Sequence, residues 1–207
     1  MQHQKNIVEY NLTASEFNWE IKPGKVITAW GFNNQVPGPV LKAKKGDTLV
    51  VRVQNNLPES TMVHWHGIRL PASMDGTGEV QQPILPGESF EYSFTVPDAG
   101  TFWYHSHQNE TIQMEKGMYG GIVIEDVTDP VVDDEKVLVM DDMKLTSKNE
   151  FKQHGTIGRW IERHCTDRTA HDRGLLAEQS HDLLDWIGVL LLILRLRIWL
   201  IRGFLSQ

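Results

Sequence analysis

The chain has 207 residues, of which 40% are hydrophobic and 23% are charged, and its formal net charge is -7 at pH 7. This size suits one ordinary domain, or one domain with an appendage, and the apolar fraction is sufficient for a sizeable core. Binding to phosphate backbones needs a basic surface, so we expect no nucleic-acid partner for this acidic chain.

The first three quarters of the chain reads as all-β. Short runs rich in valine, isoleucine, phenylalanine and tyrosine recur, with Gly/Pro turns such as Lys45-Gly46-Asp47 and Pro86-Gly87 between them. Many short strands separated by such turns predict a Greek-key sandwich or barrel. The predicted strands include Lys25–Phe32, Thr48–Gln54, Ser89–Val96, Gly100–His107, Gly120–Glu125 and Lys136–Asp141.

The use of basic residues changes near residue 153. All 11 lysines and all nine prolines precede this position, whereas residues 157–207 contain seven arginines and no lysine. A shift of this kind indicates a boundary between about Lys152 and Trp160. We therefore divide the chain into a domain, residues 1–155, and a divergent tail, residues 156–207.

The tail is harder to interpret. Thr169–Trp186 is polar with a broken apolar stripe and is compatible with a helix. Gly188–Ile201 is very apolar but contains Arg195 and Arg197, and it is shorter than the roughly 20 residues of a membrane span, so we predict no transmembrane helix. An amphipathic membrane-surface segment, an oligomer contact and a sequence created by a truncation or frame change all remain open.

Compartment is not fixed by the sequence. The single cysteine, Cys165, has no partner for an internal disulfide. The first 12 residues lack the apolar run of a secretory signal peptide, and we expect no export signal there.

Four of the nine histidines form two His-X-His motifs, His64-Trp65-His66 and His105-Ser106-His107. Side chains alternate between faces along a strand, so both histidines of a motif project to the same side. Two adjacent strands with such motifs would direct four imidazoles into one small volume. Imidazole binds copper, zinc, iron and nickel, so the pattern predicts a metal site without fixing the number of ions.

The alternative is that these residues are structural. A histidine inside a β domain is often only hydrogen-bonded, and Trp65, Trp103 and Tyr104 beside the motifs are expected mainly to pack in the core. The same aromatic side chains would also limit the access of water to a metal.

Several motifs in order resemble the first domain of bacterial multicopper oxidases and laccases, over roughly residues 5–150. They are Val36–Pro39, Lys45–Thr48, Val63–Gly67, Gly100–His107 and Met118–Gly121, the last followed by a strand. The resemblance implies a single cupredoxin-like Greek-key β-sandwich, and it implies a periplasmic or extracellular location.

The resemblance also implies roles for individual residues. His64 and His66 correspond to one type 2 and one type 3 copper ligand, and His105 and His107 to two further type 3 ligands. Asp75 corresponds to an acidic residue that assists proton supply to reducing dioxygen, although a surface aspartate in a turn is the simpler interpretation.

The chain departs from the family pattern in its second half. The family uses eight histidines around its copper cluster, and this chain matches four. The others, and the type 1 copper with its cysteine, belong to a later domain. Here Cys165 lacks the following histidine, so we expect no type 1 site and do not expect His164, Cys165, His171 or His181 to be ligands.

Three hypotheses follow. The first is a laccase-like oxidase that couples one-electron oxidation of phenolic or metal-ion reductants to dioxygen reduction, with a homo-oligomer pooling the ligands. The second is a non-catalytic copper- or zinc-binding module from a truncated oxidase. The third is a fold remnant whose tail contacts another subunit or a membrane surface. The density of motifs favours the first, and the ligand count favours the second.

Overall fold

The computed structural model describes residues 5–130, 134–141, 145 and 160–166. Within these ranges the chain forms ten β-strands, a short α-helix and a 3-10 turn. The elements are β1 (Ile7–Lys22), β2 (Lys25–Phe32), β3 (Gly38–Lys44), β4 (Thr48–Asn55), β5 (Val63–His66), the 3-10 turn (Ala72–Met74), β6 (Ser89–Thr95), β7 (Gly100–Ser106), α1 (Glu110–Glu115), β8 (Tyr119–Glu125), β9 (Asp134–Met140) and β10 (Trp160–Thr166).

Eight of these strands form two four-stranded sheets. The first sheet has the order β2-β1-β4-β6 and the second has the order β3-β8-β7-β5. Strand β1 is antiparallel to β2 and parallel to β4, and β3 is parallel to β8, while the remaining neighbours are antiparallel. Two packed sheets with connections that cross between them make a β-sandwich, so the all-β fold class predicted from the sequence is confirmed.

The core lies between the two sheets, because side chains along a strand point alternately to its two faces and one face of each sheet is turned to the other sheet. In β4, Leu49, Val51 and Val53 are fully buried, whereas Arg52 between them is exposed. From the opposite sheet, Trp65 packs on aromatic side chains of β6 at ring-centroid distances of 5.2 Å. Full burial of one such side chain contributes on the order of 2 kcal/mol, and the two inner faces share this contribution over many residues.

The turn between β3 and β4 shows how local sequence sets the chain direction. Gly46 has φ +94°, a conformation that glycine adopts without strain. The Asp47 carboxylate accepts hydrogen bonds from the backbone N–H groups of Asn6 and Lys44, each at 2.9 Å. The predicted turn is therefore present, and it also joins the start of β1 to the start of β4.

Strands β9 and β10 form a separate antiparallel pair, from Trp160 opposite Met140 to Thr166 opposite Asp134. Since β10 lies in the segment assigned to the tail, this pairing crosses the proposed boundary at residue 155, which stays a prediction. The helix considered for Thr169–Trp186 and the apolar segment Gly188–Ile201 lie outside the described residues. In the described part of the chain, the helices are too short or too polar to cross a membrane.

Candidate metal centre

The two His-X-His motifs lie side by side at one end of the second sheet, where His64 and His66 belong to β5, His105 belongs to β7, and His107 follows the last residue of β7. Strands β5 and β7 are direct antiparallel neighbours, and His64 is the cross-strand partner of His105. Between the histidines, Trp65 pairs with Tyr104, and both of these side chains are fully buried in the core. Alternation therefore places the aromatic pair on the inner face of the sheet and directs the histidines to the outer face.

His64 occupies the centre of the four imidazoles. Its ring centroid lies 5.6 Å from that of His66, 5.3 Å from that of His105 and 5.4 Å from that of His107. The convergence expected from the sequence is thus present in the geometry.

Three of the four histidines meet the distance requirement for one metal group. His64, His66 and His105 each offer a nitrogen, and these nitrogens all lie within 4.8 Å of one another, whereas His107 is outside this group. Two nitrogens bound to one ion at 2.0–2.1 Å lie at most about 4.2 Å apart. The group therefore suits either one ion after small ring movements or two neighbouring ions.

Hydrogen bonds fix the protonation of two rings. Nδ1 of His64 donates to the backbone carbonyl of Asp75 at 2.8 Å, and Nδ1 of His105 donates to the carbonyl of Ser106 at 2.9 Å. A carbonyl oxygen can only accept, so the proton of each neutral ring is on Nδ1 and the lone pair is on Nε2. Histidines that bind metals are held by the same kind of contact through their second nitrogen.

His105 is the most constrained of the four. It is 2% exposed, and its Nε2 atom has no hydrogen-bond partner among the described residues. Burial lowers the pKa of His105 to about 3, so the ring is neutral at pH 7. A buried, unpaired acceptor costs about 1–3 kcal/mol, and a metal ion at Nε2 would offset that cost.

His66 is also adapted to the neutral state. Burial, followed by the proximity of His64 and His107, lowers the pKa of His66 below its usual value. Its ring packs on Trp103 at a centroid distance of 5.0 Å. Neutral imidazole is the form that binds metals, so this environment favours binding over protonation.

Two carboxylates lie beside the histidines. Asp75 follows the 3-10 turn, and its Oδ1 lies 3.5 Å from Nδ1 of His64. Glu110 begins α1, with Oε1 3.6 Å from Nδ1 of His105 and Oε2 3.9 Å from Nε2 of His107. Asp75 was a candidate from the sequence, whereas Glu110 was not, and the only sequence signal for Glu110 is its position three residues after His107.

Trp103 covers the site from one side. Its ring stacks on His105 at 4.3 Å with an interplanar angle of 28°, and it forms a small apolar cluster with Tyr119, against which Val137 and Val139 of β9 pack. Unlike Trp65 and Tyr104, which lie inside the sandwich, Trp103 shares the outer face with the histidines. It therefore orients two rings and excludes water from one side of the site.

The remaining candidates from the sequence lie elsewhere or are not described. His164 and Cys165 belong to β10, where their backbones pair with Lys136 and Glu135 of β9. His171 and His181 fall outside the described residues. That none of these four is a ligand stays a prediction.

Comparison with known proteins gives one family. A family model described as multicopper oxidase matches residues 13–129. Copper resistance protein A of Escherichia coli is 41% identical over 200 residues, covering 87% of this chain and 32% of that protein. Laccase-1 of Cryptococcus neoformans (var. grubii) is 47% identical over 103 residues, covering 48% of this chain and 16% of that protein.

The fold is shared with solved structures of the same kind. Lac15, from a marine microbial metagenome, superposes with a TM-score of 0.63 at 38% identity, covering 80% of this chain and 42% of that one. The chain thus spans less than half the length of each of these proteins. The match with the Escherichia coli protein covers 87% of this chain, which is a larger share than residues 1–155 represent. The match therefore reaches into the segment assigned to the tail.

Proposed function

The chain belongs to the multicopper oxidase family, and from this premise we propose that its cupredoxin-like domain binds copper through His64, His66, His105 and His107. We further propose that these ligands serve a laccase-like oxidase. One observation carries the proposal: His105, which is buried and whose Nε2 has no hydrogen-bond partner in the part of the chain that the structure describes, belongs to a group of three histidines that each offer a nitrogen within 4.8 Å of the other two.

The donor set fits copper. Neutral imidazoles suit copper and zinc, whereas calcium and magnesium prefer oxygen ligands, and divalent copper binds a given nitrogen site more tightly than the other first-row divalent ions. The Nδ1 contacts of His64 and His105 leave Nε2 available on both rings. Type 2 and type 3 copper roles for the four histidines follow the resemblance and are part of the proposal.

Copper, when bound, would supply the one-electron chemistry that oxidises phenolic or metal-ion reductants and reduces dioxygen. The protein side chains orient and protect the site. The carbonyls of Asp75 and Ser106 hold the Nδ1 protons, and Trp103 excludes water. The Asp75 carboxylate lies 3.5 Å from Nδ1 of His64, and this proximity supports the role in proton supply that the resemblance implies.

Turnover needs more ligands than the described residues supply. The four histidines are half of the set that the resemblance implies. Copies of the same chain that face one another would repeat the same ligands, so we propose that a homo-oligomer completes the centre.

A second candidate function is a non-catalytic module that binds copper or zinc. A group of three histidines with an open position is also a common zinc site. The two candidates share the ligands and differ in whether dioxygen is reduced.

Metal loading and activity together test the proposal. Purified metal-free protein is titrated with Cu²⁺, copper per chain and mass in solution are measured, and oxidation of a laccase dye is followed, for the wild type, His105→Ala and the matched control His164→Ala. We expect copper binding and dye oxidation in the wild type and the control, and at least about tenfold weaker copper binding in His105→Ala.

The outcomes separate the candidates. Tight copper binding without dye oxidation in any oligomeric state would leave the non-catalytic module. No uptake of a transition metal by the wild type, or equal uptake by His105→Ala, would refute both.

A further inference from the structure

A buried polar network lies beneath the histidine motifs, and Gln113 of α1 is at its centre. Gln113 is fully buried, and its Oε1 accepts hydrogen bonds from Oγ of Ser106 and from Oγ1 of Thr61, the latter at 2.9 Å. Its Nε2 donates to the carbonyl of Ser60 at 2.9 Å and to Oε1 of Glu59 at 3.1 Å. The side-chain amide therefore has partners at both acceptor positions and at both donor positions.

The partners of Gln113 come from the two segments that carry the histidines. Ser106 lies between His105 and His107, and residues 59–61 lead directly into β5, which begins one residue before His64. Between these segments, the N–H of His107 also donates to the carbonyl of Met62 at 3.1 Å. The Gln113 amide, from α1, thus connects the end of β7 to the segment that precedes β5, next to both His-X-His pairs.

The network is poorly explained by stability alone. Hydrophobic side chains of similar volume fill a sandwich core without the desolvation cost of a buried amide and two hydroxyls. Polar networks in which every group is paired fix the relative position of their side chains, because each hydrogen bond specifies a distance and an angle. In this network, the specified quantity is the spacing between residues 59–61 and Ser106.

We propose that Gln113 is a positioning residue for the metal centre: by holding Ser106 and Thr61 together at the end of the β5–β7 ladder, it fixes, together with that ladder, the position of the His64/His66 pair relative to the His105/His107 pair. The inference rests on the proposed copper site. It makes no use of direct contact between Gln113 and a ligand; the effect is transmitted through the backbone of β7 and the segment before β5.

Replacement of the amide tests this role. Gln113→Leu keeps similar volume but removes the hydrogen bonds. We expect the affinity for Cu²⁺, measured by competition with a chelator, to fall roughly 10–100-fold, as it does when groups that orient metal ligands are lost. We also expect the electron paramagnetic resonance spectrum of bound Cu²⁺ to change. Leu12→Ala, a core truncation in β1 outside the network, is the stability control and should change neither quantity in the folded fraction.

Exchange of the amide and the carboxylate between residues 113 and 59 gives a second test with smaller changes in shape. Gln113→Glu keeps the oxygen that accepts from Ser106 and Thr61 but places a second carboxylate oxygen against Glu59, so copper affinity should again fall. Adding Glu59→Gln restores a donor at that contact, and the double variant should recover part of the lost affinity and the wild-type spectrum. A role limited to packing predicts no such recovery.

A metal-free measurement keeps the inference separate from the proposed function. Long-range ¹H–¹⁵N spectra of metal-free protein report the tautomer and environment of each histidine ring. Gln113→Leu should shift the signals of the two motifs, and Leu12→Ala should not. If the wild type binds no transition metal, the proposed function fails while these spectra still decide whether Gln113 positions the rings. If copper binds but the Gln113 variants match Leu12→Ala in affinity and in both spectra, the inference is wrong and the proposed function stands.

Discussion

The backbone carbonyl of Asp75 accepts a hydrogen bond from Nδ1 of His64, so the orientation of the His64 ring depends on the backbone geometry at residues 75 and 76 as well as on the Asp75 carboxylate. Gly76 has φ +74°, and a Cβ built at this position would lie 1.8 Å from the carbonyl oxygen of Val63 and 3.0 Å from the amide nitrogen of His64. The loop therefore lies directly against the backbone of β5 at the point where the first histidine begins. Only glycine permits both the backbone angle and the close approach.

Gly76→Ala should consequently be far more damaging than an alanine in an ordinary turn. Gly87, with φ +85°, has open space around its Cβ position and provides the matched control. We expect Gly87→Ala to lower the free energy of unfolding by about 1–2 kcal/mol, the cost of a left-handed residue with a side chain. Gly76→Ala should lower the free energy of unfolding by more than about 4 kcal/mol, because the added Cβ also forces the loop away from the backbone of Val63. Urea denaturation of metal-free protein measures both, and equal losses would contradict the steric argument.

The site shows what sequence can and cannot predict at the residue scale. The period of two along a strand was enough to place His64, His66 and His105 on one face. His107 lies one residue beyond β7, with its ring centroid 5.4 Å from that of His64. The tautomer of His64 depends on a contact with Asp75 in a separate loop, and no sequence spacing encodes that contact. His105 and Glu110 have partners close in sequence, Ser106 and His107, but the backbone geometry decides whether such neighbours make contact, so these contacts could not be predicted either.

At the scale of elements, strand β3 illustrates how an edge is protected. It forms one edge of the second sheet, and the Tyr10 hydroxyl, from β1 of the first sheet, closes it. This hydroxyl accepts from the N–H of Lys42 at 2.8 Å and donates to the carbonyl of Lys42 at 2.9 Å. Edge strands expose unpaired backbone groups that invite association, and this tyrosine removes one pair of them while it joins the two sheets.

Tyr10→Phe should loosen that edge. Loss of both hydrogen bonds should lower the free energy of unfolding by about 1–2 kcal/mol and speed hydrogen exchange at the Lys42 amide. Tyr119→Phe is the control, since the Tyr119 hydroxyl donates to the Asp141 side chain and not to β3. Amide exchange followed by NMR would contradict this prediction if Lys42 exchanged at the same rate in Tyr10→Phe as in the wild type.

The strands that could be predicted are those whose apolar runs are clearly separated from the polar turns beside them. The prediction for β2 has the observed bounds, and those for β4, β6, β7 and β8 differ by one residue at one end. Neither β1 nor β3 was among the predicted strands. Only Leu12 and Ala14 are buried along the 16 residues of β1, so its pattern of apolar residues is weak. Strand β3 begins inside the Val36–Pro39 motif, whose prolines and glycine are typical of a turn. Tertiary pairing with β4 and β8 decides these strands, which local propensity does not report.

At the scale of the whole molecule, the proposed metal centre carries an energetic cost that folding does not offset. The fold buries the neutral His105 ring, whose Nε2 has no hydrogen-bond partner within the described ranges, and brings two further imidazoles near it. A ligand that binds only the folded state stabilises it by an amount that depends on its concentration relative to the dissociation constant. Copper should therefore act on the stability of the whole domain, even where it supports no turnover.

Cu²⁺ at about 100 times its dissociation constant should raise the free energy of unfolding by about 2.7 kcal/mol, visible as a higher midpoint in thermal or urea unfolding. Copper also binds histidine and cysteine in an unfolded chain, and this binding would reduce the stabilisation. The informative comparison is therefore with His66→Ala, because this variant retains Cys165 and eight of the nine histidines. In that variant the increase should largely disappear, because one of the three clustered nitrogens is gone while binding to the unfolded chain is almost unchanged. Mg²⁺, which prefers oxygen ligands, should leave the wild-type midpoint where it was. An equal increase in His66→Ala would mean that the stabilising copper binds outside the histidine group on β5 and β7.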